Sequence, residues 1–183
     1  MSATVAVMHL LKHGEHVLCI DDVYGGTQRY LRKILGDHQD IHTSFIDFSD
    51  PEQVRDAIKP NTRIVWAETP TNPTLKIFDI KAVAKICKEK GVLFAVDNTF
   101  FTPYLQNPLD MGADIVVHSI TKYIGGHSDV VMGCICLNDK DLYDRLFFIT
   151  KSIGSGASPF DCYLALRGSK TLGIRMDRAM ANA

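Results

Sequence analysis

The feature that most constrains the fold is an alternation of two element types. Runs rich in β-branched residues predict strands at 17–20, 43–48, 63–67, 92–96, 115–118 and 130–137. Helical patterns at 3–12, 27–35, 51–58, 79–90, 139–149 and 159–180 separate or follow them. In the fourth of these, Ile80, Val83, Ala84, Ile86 and Cys87 repeat at the i, i+3, i+4 spacing of a core-facing stripe. Asp79 stands where an N-cap is expected and Gly91 where a helix stop is expected. Continuous apolar strands alternating with helices predict an α/β fold, a mostly parallel sheet sandwiched by helices. In such sheets ligands bind outside the carboxyl ends of the strands, so chemistry is sought there.

Composition narrows the function classes. The chain is 46% hydrophobic and 22% charged, a globular balance rather than a disordered one. Its formal charge of -1 comes from 20 basic and 21 acidic side chains, which offers no basic surface for nucleic acid. No apolar run approaches the roughly 20 residues that span a bilayer. The apolar start from Met1 lacks the basic front and cleavage site of a signal peptide. Five scattered cysteines without a CxxC pair fit a reduced compartment, so a cytoplasmic location is expected. Cys134-x-Cys136 has the period of a strand inside an apolar run, and no metal site is expected. His127-x-Asp129 supplies too few ligands for a metal. No G-x-G-x-x-G follows the first strand, and Gly154-x-Gly156 lacks the lysine of a P-loop, so nucleotide and nicotinamide readings are set aside.

Two strand ends carry candidate chemistry. Asp97 follows Val92-Leu93-Phe94-Ala95-Val96, and Lys122 closes Ile115-Val116-Val117-His118-Ser119-Ile120-Thr121-Lys122. Taken singly, a strand-end Asp caps a turn and most lysines are solvated. Here the lysine has hydroxyls at Ser119 and Thr121 and glycines at Gly125 and Gly126, the makings of an anion pocket. A lysine, an acid and phosphate donors at neighbouring strand ends are what pyridoxal phosphate requires: a Schiff-base lysine, a partner for its pyridinium nitrogen and a phosphate cradle.

The stretch from His118-Ser119-Ile120-Thr121-Lys122-Tyr123 to Met132-Gly133 closely resembles the lysine signature of the Cys/Met-metabolism pyridoxal-phosphate-dependent enzymes. Asp21-Asp22-Val23-Tyr24-Gly25-Gly26-Thr27, Glu68-Thr69-Pro70-Thr71-Asn72-Pro73-Thr74 and Val96-Asp97-Asn98-Thr99-Phe100 match its other motifs in order, and 158–168 also resembles it. Within the family, Tyr24-Gly25-Gly26-Thr27-x-Arg29-Tyr30 is most similar to the cystathionine γ-lyases; methionine γ-lyases usually carry cysteine where Gly26 stands.

The resemblance implies the large domain of a fold-type-I enzyme of trans-sulfuration. It implies α,γ-elimination of L-cystathionine to L-cysteine, 2-oxobutanoate and ammonia. The γ-synthase and methionine γ-lyase reactions, or an inactive fragment, remain as alternatives. It assigns Lys122 and Tyr24 to catalysis and makes Lys122 the covalent anchor of the cofactor. It further assigns Asp97 to the pyridinium nitrogen, Tyr24 to stacking on the ring, and Ser119 and Thr121 to the phosphate. Asn72 goes to the cofactor's phenolic oxygen and the substrate, and Arg29 and Tyr24 also to the bound substrate. Met1 would be the last residue of a Ser-Gly-Met turn against the phosphate. By the same resemblance the protein is a homotetramer, a dimer of dimers. Both ends read as cut: residues 1–158 are expected to form an incomplete cofactor domain, and 159–183 a helix leading toward a further domain. The family's cross-subunit Tyr-x-Arg segment and carboxylate-gripping arginine do not occur here, so the chain alone is expected to be a poor catalyst.

Overall fold

The computed structural model describes residues 1–183. The elements run α1 (Ser2–Met8), β1 (His16–Ile20) and α2 (Gly25–Arg29), which continues through a π-helical stretch (Tyr30–Leu35) into α3 (Gly36–Gln39). Next come β2 (His42–Ile46), α4 (Pro51–Ala57), β3 (Thr62–Glu68), α5 (Ile80–Lys90), β4 (Leu93–Asp97) and α6 (Thr102–Leu105). A 3-10 turn (Pro108–Met111), β5 (Ile115–Ser119), β6 (Gly133–Cys136), α7 (Lys140–Ser152), α8 (Pro159–Ser169) and α9 (Leu172–Asn182) complete the chain.

The six strands form one sheet in the order β2-β1-β3-β4-β5-β6. All neighbours are parallel except β6, which returns antiparallel to β5. The core lies along the sheet, where Leu18, Ile64, Trp66, Phe94 and Ile115 are wholly buried. Such continuous burial is why these strands read as unbroken apolar runs rather than alternating ones. Helix α5 forms as its sequence predicts. The Asp79 side chain accepts the Ala82 N–H at 3.0 Å, the stripe Ile80, Val83, Ala84, Ile86 and Cys87 is buried, and Gly91 ends the helix at φ +65°. No helix is long and apolar enough to cross a membrane.

Two predicted elements differ. The strand expected at 130–137 pairs only over Gly133–Cys136. Residues before it are engaged elsewhere: Thr121 N–H donates to the Met132 carbonyl at 3.2 Å, and Met132 N–H donates to Thr121 Oγ1 at 3.0 Å. The helix expected over 159–180 breaks into α8 and α9 around Lys170 and Thr171. The break turns α9 back toward the loop that follows β5. There the Arg175 guanidinium donates to the carbonyls of Tyr123, Ile124 and Gly168, at 2.5, 3.2 and 2.8 Å. Gly168 must lack a side chain, because a Cβ there would fall 2.1 Å from the Gly125 carbonyl oxygen.

Candidate active site

The parallel register brings the ends of β3, β4 and β5 together. Glu68 is paired with Asp97 across β3 and β4, and Ser119 ends β5. Beyond them opens a cavity of about 1250 Å³. Seven of the eight residues predicted for the site line it: Met1, Tyr24, Asn72, Asp97, Ser119, Thr121 and Lys122. Arg29, at the end of α2, is exposed, makes no side-chain hydrogen bond and does not line the cavity. A smaller cavity of about 390 Å³, near Ala3, Cys134 and Phe147, contains none of the eight.

At the floor, Asp97 Oδ1 accepts the Thr99 N–H at 3.0 Å and the Thr99 hydroxyl at 2.5 Å. Thr99 Oγ1 in turn accepts the Ser119 N–H at 2.8 Å. This donor chain from β5 through Thr99 polarises toward Asp97 and holds its carboxylate in one orientation. Burial raises the Asp97 pKa, and the two bonds from Thr99 pull the other way. Glu68 is also raised, to about 8, first by burial and then by the charge of Asp97, against the bond it receives from Tyr24.

Tyr24 stands at the entrance to α2, half exposed, with its N–H donated to Glu68 Oε2 at 2.9 Å. Its ring lies over Gly26. A Cβ at Gly26 would come 2.5 Å from Tyr24 Cε1, so glycine at this position is what allows the ring its place. Asn72 sits in the 69–74 loop, which Asp22 ties down by accepting the Thr71 hydroxyl at 2.5 Å and the Thr74 N–H at 2.9 Å.

The donor set suits pyridoxal phosphate. The Lys122 amine, the Ser119 hydroxyl and Asp97 Oδ2 make no hydrogen bond or ion pair within the chain, while all three residues line the same cavity. An amine, a hydroxyl and a carboxylate oxygen are thus free for a ligand that presents an aldehyde, a phosphate and a ring nitrogen. Thr121 differs from expectation in its present bonding: its hydroxyl donates to the Met132 carbonyl at 3.2 Å, so it clamps the lysine loop.

Sequence reasoning assigned no role to Glu68, Thr99 or Arg175, although all three line the cavity. Thr99, two residues after Asp97, carried a local signal: a hydroxyl within reach of the carboxylate in an Asp-x-Thr turn. Glu68 ends an apolar strand as Asp97 does, and that parallel was its signal. Arg175 had none, because it reaches the cavity only through the break between α8 and α9.

Comparison with solved structures extends this geometry. The chain superposes with TM-score 0.93 and 46% identity on metB from Corynebacterium glutamicum, over 95% of this chain and 45% of that one. It superposes with TM-score 0.92 and 41% identity on a cystathionine γ-lyase from Lactobacillus plantarum complexed with L-serine, over 94% of this chain and 45% of that one. The fold is therefore the helix-flanked, mostly parallel sheet of the fold-type-I pyridoxal-phosphate enzymes. Residues 1–183 match the family described as Cys/Met metabolism PLP-dependent enzyme, and the chain belongs to that family. Among curated relatives, a cystathionine γ-lyase of Dictyostelium discoideum is 52% identical over the whole chain and 47% of its own length. A probable cystathionine γ-synthase of Herpetosiphon aurantiacus is 51% identical over the whole chain and 57% of its own length. The chain thus spans about half the length of the curated relatives it matches.

Proposed function

We propose that this chain carries the cofactor half of a pyridoxal-phosphate-dependent carbon–sulfur lyase of trans-sulfuration. Its reaction is the α,γ-elimination of L-cystathionine to L-cysteine, 2-oxobutanoate and ammonia. The observation that carries the reading is the convergence of a free Lys122 amine and a free Asp97 carboxylate oxygen on one cavity. Lys122 would hold the cofactor covalently, Asp97 its ring nitrogen, and Ser119 its phosphate, with Tyr24 against the ring and Asn72 beside it. When bound, the cofactor supplies a sink for the electron pair left as bonds to carbon break.

The chain's own groups do the rest. Lys122 Nζ, on a flexible stem, takes a proton from one carbon and returns it to another or to the departing sulfur. Asp97, held by Thr99, keeps a negative charge opposite the ring nitrogen and so retains a proton there. The Tyr24 hydroxyl serves as a second acid or base, and its ring shields one side of the cavity from water. The γ-lyase reading draws support from the Gly26-bearing turn and the Dictyostelium relative. The probable γ-synthase of Herpetosiphon, nearly as similar, supports γ-replacement, in which cysteine displaces the acyloxy group of an O-acylhomoserine, as the second reading. Product analysis of the full-length enzyme separates them. Cystathionine converted to 2-oxobutanoate and cysteine is expected, whereas cystathionine formed from an O-acylhomoserine and cysteine, with no elimination, overturns the lyase assignment. By family resemblance the enzyme works in the cytoplasm as a homotetramer. The exposed Phe147, Phe148, Phe160 and Tyr163 on α7 and α8 are apolar enough to support burial against other protein surface.

A further inference from the structure

We propose that Glu68 is a positioning residue for the cofactor cavity, coupling the Tyr24 turn to the strand that carries Asp97. This rests on the reading of the cavity as a pyridoxal-phosphate site and deepens it.

Three geometric facts converge on this residue. Glu68 is the last residue of β3 and lies in register with Asp97, the last residue of β4. It is 4% exposed, yet it lines the cavity wall. Its Oε2 accepts the Tyr24 N–H at 2.9 Å, across 44 residues of sequence. That N–H belongs to the first residues before α2, where no side chain caps the helix. An uncapped helix start leaves backbone donors to be satisfied from elsewhere, and β3 supplies one acceptor. The ring over the cavity and the carboxylate at its floor are therefore tied to one side chain.

A bland packing role does not account for the residue. A carboxyl group at this depth beside a second carboxylate is costly, and an apolar side chain would fill the space without that cost. Asp22, at the end of the loop after β1, adds a third acidic group to the same surroundings, and Cys19 of β1 lies close by. Burial and these neighbours favour the protonated form near neutral pH. In that form Glu68 still accepts from Tyr24 through a lone pair. A neutral group with the same reach should thus do the same work, which glutamine tests directly.

The test is a double-mutant cycle on cofactor affinity in the full-length protein, read from visible absorbance during titration with pyridoxal phosphate. Glu68→Ala and Tyr24→Ala are each expected to weaken binding about tenfold, and the double variant hardly further than either one. Glu68→Gln is expected to stay within about threefold of wild type, because its amide oxygen keeps the Tyr24 bond. Should Glu68→Ala fail to fold, Glu68→Asp replaces it in the cycle, being one methylene too short for Tyr24. Multiplying effects in the cycle, or a Glu68→Gln variant as weak as Glu68→Ala, overturns the coupling. Absence of cofactor binding in wild type overturns the proposed function itself, so the two failures are distinguishable.

Discussion

Two polar clusters lie at opposite ends of the one sheet, one toward the amino ends of β1 and β3 and one at the carboxyl ends of β3, β4 and β5, and they are built for different ends. At the amino ends, His16 is 1% exposed and fully engaged. Its Nδ1 meets Thr62 Oγ1 at 2.8 Å and its Nε2 meets Ser44 Oγ at 2.9 Å, while Thr62 Oγ1 also accepts the Lys59 N–H at 2.8 Å. This cluster is closed: it joins β1, β2 and β3 and leaves nothing to offer a ligand. At the carboxyl ends, Glu68, Asp97 and Ser119 sit at comparable places on their strands, but Asp97 Oδ2, the Ser119 hydroxyl and Lys122 have no partner. Burial of polar groups is thus no sign of function by itself. What separates the two ends is whether the groups satisfy one another. Burial disfavours charge at both ends, so the base and the acid shift in opposite directions. Burial, then Lys59 and His42, lower His16 to about 4, whereas burial and Asp97 raise Glu68 to about 8.

The largest expected effect is at Lys122. Lys122→Ala abolishes borohydride-reducible attachment of pyridoxal phosphate, read by mass spectrometry of the reduced full-length protein. Labelling of a different lysine in wild type would remove Lys122 from its role and leave the open end of the sheet without its anchor. Next comes Asp97. Asp97→Asn keeps the shape and the Thr99 contacts but removes the charge. Turnover is expected to fall about 10²- to 10³-fold with cofactor still bound, and a near-normal rate would break the contrast between the two ends.

The remaining predictions concern stability. His16→Ala leaves Thr62 and Ser44 without their buried partner and opens a void, a loss of about 3 kcal/mol in urea unfolding at pH 7. In wild type, the folded His16 value lies below its ordinary 6.5, so its contribution is complete above pH 6.5 and is lost as pH falls toward 4. His16→Ala should remove that part of the acid sensitivity; an unchanged acid slope would show that the amino-end cluster does not behave as a closed unit. Glu68 has the opposite sign. Its folded value lies above its ordinary 4.5, so its contribution is complete below pH 4.5 and is lost as pH rises through 8. Glu68→Gln should therefore gain on wild type by about 4 kcal/mol between pH 5 and pH 8.5, measured as the difference in unfolding free energy at the two pH values. A gain that is flat with pH would show that burial does not hold Glu68 in its protonated form.

Much of this was legible from residues alone. The strands, the stripe and caps of α5, and the placing of Asp97 and Lys122 at strand ends follow from local rules that act within a few residues: apolar periodicity, capping hydroxyls or carboxylates, and glycine at positive φ. The resemblance in four ordered motifs added the cofactor and brought Tyr24, Asn72, Ser119 and Thr121 to the same place. Tertiary structure alone decided the rest, because it depends on register and on packing between distant segments. Glu68 and Asp97 are 29 positions apart in the sequence and become neighbours only when β3 and β4 pair in parallel. The strand expected at 130–137 lost its first residues to Thr121, whose hydroxyl has no local reason to choose Met132. Arg175 reaches the cavity because Gly168 lets α8 sit against Gly125 and the chain then turns, a contact that exists only between folded surfaces. Local physics chose the elements and most of the reactive groups. Which of those groups stay free for a ligand was decided by the hydrogen bonds that the folded chain makes with itself.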